Sequence, residues 1–400
     1  MERVLIVADD LTGAAEMAAF AATPDRPTRV AWPPSGAGGS ESRDLPETWE
    51  IAVTAKTVID TESRNLAAGD AHARLATMLG HLPPDRLRGL VYKKIDSTLR
   101  GPIRAEISLL HDVAGLGPVI AAPAYPRMGR TTRAGVQYVG DVAVADGPAG
   151  DDPLAATRES DVTRLLPQGE CVVLDPPASR EAHDLARELA HHRSTGRHVV
   201  VDAESEADLE RLAEALRALP SGLVMGTGGL ARHLWPTTGL VGASVASGRI
   251  IVINGSHHPA AKAQAALLLS ALESRCEDTP PARSLEGPFD DVHILTTPAR
   301  RVEPGVALRD LERAFEEVIA LGRPRAVIVT GGETALNVLK RLRTKALDVT
   351  GELIDGVPLG IIAGGPWHGT ILATKAGGFG SPDVLLRAVR RLRVSASTPA

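Results

Sequence analysis

The chain has 400 residues, of which 44% are hydrophobic and 23% charged, and a formal net charge of −5. That length exceeds one ordinary core and implies two domains of roughly 150–250 residues, while the acidic balance excludes a dedicated nucleic-acid binder, which would carry a basic domain or stripe. Two cysteines only, Cys171 and Cys276, far apart in sequence, exclude a disulfide framework and a cysteine zinc site and point to a reducing cytoplasm.

The chain opens MERVLIVADDLTGA, a five-residue apolar run stopped by two aspartates. A signal peptide needs a longer apolar core, and no stretch reaches the ~18 apolar residues that span a bilayer. A cytoplasmic protein with no membrane partner is expected. The first strand is RVLIVA (3–8); residues 33–48, rich in Gly, Ser and Pro, read as a flexible surface insertion. Strands IAVTAK (51–56), GLVYKK (89–94), PVIAAPA (118–124), CVVLD (171–175) and HVVVDA (198–203) follow, with helical spacing at 181–193 and 206–219. The pattern pauses at 235–248 and restarts with RIIVINGS (249–256). A helix at 259–274, strands near 292–296 and 326–330, a helix at 333–343 and a strand at 359–363 come next. The arginine-rich segment 387–393 reads as a solvated helix face. Strands alternating with helices give an α/β fold. Two domains are expected, 1–240 and 241–400, each a mainly parallel sheet flanked by helices.

In such sheets ligands gather at the carboxyl ends of the strands. After the first strand stand Asp9, Asp10, Leu11, Thr12 and Gly13. One of the acids or Thr12 could be a helix cap, but two adjacent acids repel unless a cation, a substrate hydroxyl or an arginine offsets them. After the second come Asp60, Thr61, Glu62, Ser63 and Arg64, whose guanidinium can grip a carboxylate through two bonds.

The third is followed by KKIDSTLRGPIRAE (93–106), which offers almost nothing apolar to a core. Between Lys93 and Arg133 seven bases (Lys93, Lys94, Arg100, Arg104, Arg127, Arg130 and Arg133) face three acids (Asp96, Glu106 and Asp112). The excess of four positive charges suits a small anion, and Gly101 would let the backbone approach it. Lys94, Asp96, Ser97, Arg100 and Gly101 are the candidates there.

The second half carries glycine turns at strand ends: Asn254-Gly255-Ser256, Thr330-Gly331-Gly332-Glu333-Thr334 and Lys375-Ala376-Gly377-Gly378-Phe379-Gly380. Backbone N–H groups of such turns bind phosphate oxygens, and three in one α/β unit read as a nucleotide site. Lys375 could add a point charge, although a lysine at a strand end is more often solvent-exposed. No GxxxxGK[ST] occurs, and no GxGxxG follows the first strand.

The ordered set ADDLTGA, DTESR, KKIDSTLRG, APAYPRMGRTTRAG, GTGGLA, INGS, VTGGETA and TKAGGFGSPD, spread over residues 4 to 386, resembles the four-carbon acid sugar kinase family. The resemblance implies a sugar acid (3-oxo-tetronate, threonate or erythronate) on the first domain and ATP on the second. The terminal hydroxyl would be phosphorylated, with Mg²⁺ bridging phosphates. It puts Asp9, Asp10, Arg64 and the Lys94–Gly101 loop toward the acid, and Ser256, the Gly331, Gly332, Glu333 and Thr334 turn and Gly377 toward ATP; Gly378 extends that last turn. The base is Asp10 or Asp96, with Asp10 preferred. Three features depart from the family pattern: Pro102 replaces a usual Asn, His257 and His258 follow the GS pair, and IIAGGPWHGT (361–370) is unusual. An NAD-linked sugar-acid dehydrogenase and a non-catalytic sugar-acid sensor remain the competing readings, and a homodimer is the assembly to test.

Overall fold

Strands such as Val4–Ala8, apolar throughout, and Ile250–Asn254, apolar up to its last residue, are buried at every position, as strands covered on both faces require. The computed structural model describes residues 4–23, 26–33, 56–152, 155–219, 221–235, 240–241, 248–277, 291–296, 315–316, 320 and 322–393. The insertion expected at 33–48 lies outside them from residue 34 on, as does most of the 235–248 stretch. Two compact units result: Met1–Ala21 with Thr28–Pro236, and Ala22–Pro27 with Thr237–Ala400.

The first unit holds strands β1 (Val4–Ala8), β2 (Thr28–Ala31), β3 (Lys56–Asp60), β4 (Leu90–Lys94) and β5 (Val119–Ala122). After a small antiparallel sheet of β6 (Arg130–Arg133), β7 (Val136–Val139) and β8 (Val142–Ala143) come β9 (Cys171–Leu174), β10 (His198–Val201) and β11 (Gly222–Gly226). The large sheet runs β2-β3-β1-β4-β11-β5-β10-β9 with every pairing parallel. Its helices are α1 (Leu11–Ala21), α2 (Ala68–Gly80), α3 (Ile103–Ala114), α4 (Ala182–Ser194), α5 (Glu206–Arg217) and α6 (Gly228–Leu234). Ser205 and Asp208 close a capping box at the start of α5, which fixes where that helix begins.

The second unit holds β12 (Ile250–Asn254), β13 (Val292–Thr296), β14 (Ala326–Thr330), β15 (Ala346–Ile354), β16 (Val357–Ala363) and β17 (Ile371–Lys375), with α7 (Pro259–Glu277), α8 (Gly332–Arg341) and α9 (Val384–Arg393). Strands β13-β12-β14-β17 are parallel, and β16 and β15 extend them antiparallel. Along α9, Val384, Leu385, Ala388, Val389 and Leu392 are buried, whereas Arg387, Arg390 and Arg391 are exposed. No helix among the described residues is long and apolar enough to cross a membrane.

Three expectations need correction. The second strand read at 51–56 is observed at 56–60, so Asp60 ends the strand rather than opening a loop; residues 51–55 lie outside the described set. Strands at 28–31, 222–226, 346–354 and 371–375 have no counterpart in the periodicity reading; Gly222–Gly226 is a central strand whose two glycines disguise it. The segment 93–106 does anchor a core: Ile95, Leu99 and Ile103 are buried in one apolar cluster with Leu5, Val7 and Ile59. The charges had hidden an apolar residue at every fourth position.

Candidate functional site

In the first unit β1 has β3 on one side and β4 on the other, so the chain reverses its direction of travel across the sheet at β1. Ligands gather at such a reversal point, and Asp9-Asp10, the turn 60–64 and the loop 94–101 are the segments at the carboxyl ends of β1, β3 and β4.

Arg64 binds the protein's own acids. Its Nε and Nη2 donate to the two oxygens of Asp9 at 2.9 and 2.8 Å, and Nη2 also donates to Asp10 Oδ1 at 2.8 Å. Nη1 lies 4.0 Å from Asp96. This resolves the repulsion expected of adjacent aspartates. Burial works against the charge of Asp9, but Arg64, with help from Lys93 and Lys94, holds its pKa below the usual value. Asp10 Oδ1 also accepts from the Gly13 N–H at 3.0 Å, and Oδ2 has no partner among the described residues.

Asp96 is occupied. Arg100 grips both its oxygens at 2.9 Å, and the Thr98 N–H donates to it at 3.1 Å. Burial opposes its charge, yet Arg100 and then Arg64 hold it well below the usual carboxylate range. Arg100 continues to Asp152 at 3.1 Å. The Ser97 hydroxyl has no partner among the described residues. Gly101 has φ 95°, and a Cβ there would stand 3.3 Å from Asp9 Oδ2, so both backbone and space call for glycine. Glu62 (φ 51°) and Leu99 (φ 59°) hold the left-handed conformation without being glycine, a cost that concentrates at functional sites.

Beneath this rim lies a buried charge pair that sequence reading took for part of a basic mouth. Lys93 Nζ is 2.8 Å from Glu106 Oε2, with side chains 0% and 1% exposed. The Ser63 hydroxyl donates to Glu106 Oε1 at 2.8 Å, and the Thr61 hydroxyl lies 3.0 Å from the same atom. Lys94 faces Glu16 of α1 at 3.6 Å. Arg133 stacks over Tyr138 at 4.2 Å and so belongs to the small sheet.

A cleft of about 680 Å³ is lined by Arg64, Gly101, Pro102, Asp152 and Arg158 among others. Sequence reading missed Glu16, Asp152 and Arg158, none of which follows a strand in a recognisable motif. Arg158 is exposed and has no hydrogen-bond or ion partner among the described residues. Pro102 sits at the N-cap of α3, where the lost N–H costs the helix nothing.

In the second unit the order reverses between β12 and β14, and the register aligns Asn254, Thr330 and Lys375 at one level. The three glycine turns leave from that level. A Cβ on Gly255 would stand 1.9 Å from Thr334 Oγ1, and one on Gly377 would stand 2.1 Å from Ser256 Oγ. Gly331 has φ 103° and precedes α8, where Glu333 lies in the first turn. Gly377 and Gly378 have N–H groups with no acceptor among the described residues. Lys375, weighed as a solvent-exposed charge, is 1% exposed and bonded to carbonyls of its own turn. His258 packs by Gly378, and His368 accepts from the Gly364 N–H in the unusual 361–370 segment.

The model of a sugar-binding N-terminal domain matches residues 4–234, and that of a nucleotide-binding C-terminal domain matches 296–385. The chain is 36% identical to a D-threonate kinase of Bordetella bronchiseptica, covering 97% of each chain. It is 32% identical to a D-threonate kinase of Cupriavidus necator and 28% identical to a 3-oxo-tetronate kinase of Burkholderia multivorans, with 96% of each chain covered in both cases. A crystal structure described as a putative tRNA synthase from Salmonella typhimurium covers 98% of this chain with TM-score 0.75 at 23% identity. A Haemophilus influenzae protein of the DUF1537 family covers 96% with TM-score 0.70 at 21%. At those identities the structural likeness is one of fold. The sequence matches carry more: by both domain models and by relatives similar over almost their whole length, this chain belongs to the four-carbon acid sugar kinase family.

Proposed function

We propose that the chain is an ATP-dependent kinase that phosphorylates the terminal hydroxyl of a four-carbon sugar acid. The observation that carries this reading is the 36% identity to a D-threonate kinase over 97% of both chains. The relatives at 36% and 32% identity both bear that name, so D-threonate is the first acid to try. Arg158, Lys94 and Nη1 of Arg64 meet the carboxylate; Ser97, Asp9 and the Asp96–Arg100 pair fix the hydroxyls, and Gly101 lets the acid approach the backbone. Asp10, whose Oδ2 has no partner among the described residues, takes the proton of the attacking hydroxyl as its oxygen bonds to the γ-phosphorus and the bond to ADP breaks. Asp96 is held too firmly by Arg100 to be the base.

ATP fits the second unit, where Ser256, the Gly331–Thr334 turn, Gly377 and Gly378 form a cradle that side chains would fill. Among the described residues no group of three His, Cys, Asp or Glu side chains could hold a metal, so Mg²⁺ enters this reading only as the companion of the nucleotide's phosphates. We place the chain in the cytoplasm, and a homodimer is the assembly to test by light scattering. Coupled ADP release with D-threonate, D-erythronate and 3-oxo-tetronate tests the function. Release dependent on one of these acids is expected; acid binding without turnover would make the chain a sensor, and reduction of NAD would make it a dehydrogenase.

A further inference from the structure

Three carbonyls of the turn after β17 converge on one atom. Lys375 Nζ donates to the carbonyls of Ala376, Gly377 and Phe379 at 2.6, 3.5 and 2.8 Å. An ammonium has three protons, and all three are placed. Beside it Gln264 of α7, itself 1% exposed, directs Nε2 at the carbonyls of Phe379, Gly380 and Ser381 at 3.1, 3.0 and 3.1 Å. Two buried side chains therefore gather the turn's carbonyls on its inner side. In a trans peptide the N–H points opposite to the carbonyl, and no peptide bond here is cis. The N–H groups of Gly377 and Gly378, on the peptides whose carbonyls Lys375 holds, face away from it without an acceptor among the described residues.

We infer that Lys375 is a positioning residue: its ammonium holds the 376–379 carbonyls inward and so presents the Gly377 and Gly378 N–H groups to the phosphates of a nucleotide. This rests on the nucleotide reading of the second unit, and departs from a lysine that touches phosphate itself. The device is sensitive to pH. Burial alone lowers the pKa of Lys375 to about 8. The titratable groups on the neighbouring elements include His257 and His258 after β12, Lys262 on α7, Glu333, Lys340 and Arg341 on α8, and Asp383, Arg387, Arg390, Arg391 and Arg393 at or in α9; none of them contributes to that shift. Deprotonation removes one donor and the charge that holds the carbonyls together.

The test is calorimetry of ADP binding to the full chain between pH 7 and pH 9. The protonated fraction of a group titrating near 8 falls about tenfold over that span, and ADP affinity should fall about tenfold with it. Lys375→Arg, charged throughout, should bind with a flat profile. Lys375→Met should bind ADP at least tenfold more weakly at pH 7 while retaining D-threonate binding. In ligand-free Lys375→Met, amide exchange across 376–380 should be faster than in the wild type at the same pH. A wild-type ADP affinity that does not change over the span, or unchanged exchange in Lys375→Met, overturns the inference. Failure of the wild type to bind ADP at pH 7 overturns the nucleotide reading, and the inference with it.

Discussion

Arg64 shows how a side chain's chemistry can be read from sequence while its partners within the protein cannot. Its type, its strand-end position and its capacity for two bonds were legible; that the bonds go to Asp9 and Asp10 was not, because those residues stand more than fifty positions away. Arg64→Ala should raise KM for the acid strongly with little effect on ATP affinity, and should also destabilise the fold. Removing one partner of a buried charge pair costs about 3–5 kcal/mol. The sign with pH follows from Asp9. While Arg64 is present, the folded-state pKa is lowered, so the stabilisation is complete above the unfolded value of 3.8 and is lost as pH falls through the folded one. Without Arg64, burial, the largest influence on that pKa, is opposed only by Lys93 and Lys94 and would raise it, so the deficit of the variant should shrink as pH drops from 7 to 5. Urea unfolding at the two values checks this. Asp10→Asn keeps an Oδ1 acceptor for Arg64 and Gly13 and should stay folded and bind both ligands, while turnover falls by roughly 10²–10⁴ as for loss of a general base. Rapid-quench measurement of a single turnover would isolate that step.

At the scale of elements, β4 and α3 meet through Lys93 and Glu106, and the turn after β3 joins them through Ser63 and Thr61. Lys93→Met should destabilise the chain by about 3–5 kcal/mol, since it leaves a carboxylate buried and unpaired. Adding Glu106→Gln removes that charge, keeps an acceptor for the hydroxyls and should restore most of the loss in the same denaturation assay. Strands with continuous Val and Ile were legible from composition, whereas β11 was not: its sequence GLVMG lacks β-branched density, and burial between β4 and β5 overrides its weak intrinsic preference. The 93–106 segment misled for the opposite reason, since a buried lysine and glutamate look like surface until their pairing is seen.

Over the whole molecule, the proposed function gives the acid and the nucleotide to different compact units, so one substitution should separate their binding. Gly377→Val forces Ser256 away, because even a Cβ would meet its Oγ at 2.1 Å. ADP binding should drop below detection in a chain that still binds D-threonate with wild-type affinity, as separate titrations would show. The α/β class and the strand-end clusters were readable because each chemical motif follows its strand directly. The grouping of residues 22–27 with the second unit was not, since nothing in their composition differs from an ordinary loop. The buried pair beneath the Arg64 cluster has a bearing on how such a chain diversifies. Lys93 offsets the charge of Glu106, to which Ser63 donates, so neither member of the pair can change alone without stranding a buried charge; substitutions there should travel together. Pro102, Asp151 and Arg158 line the cleft above and carry no such obligation. Drift toward a different sugar acid should therefore be recorded at the rim, one position at a time, over a floor that is inherited whole.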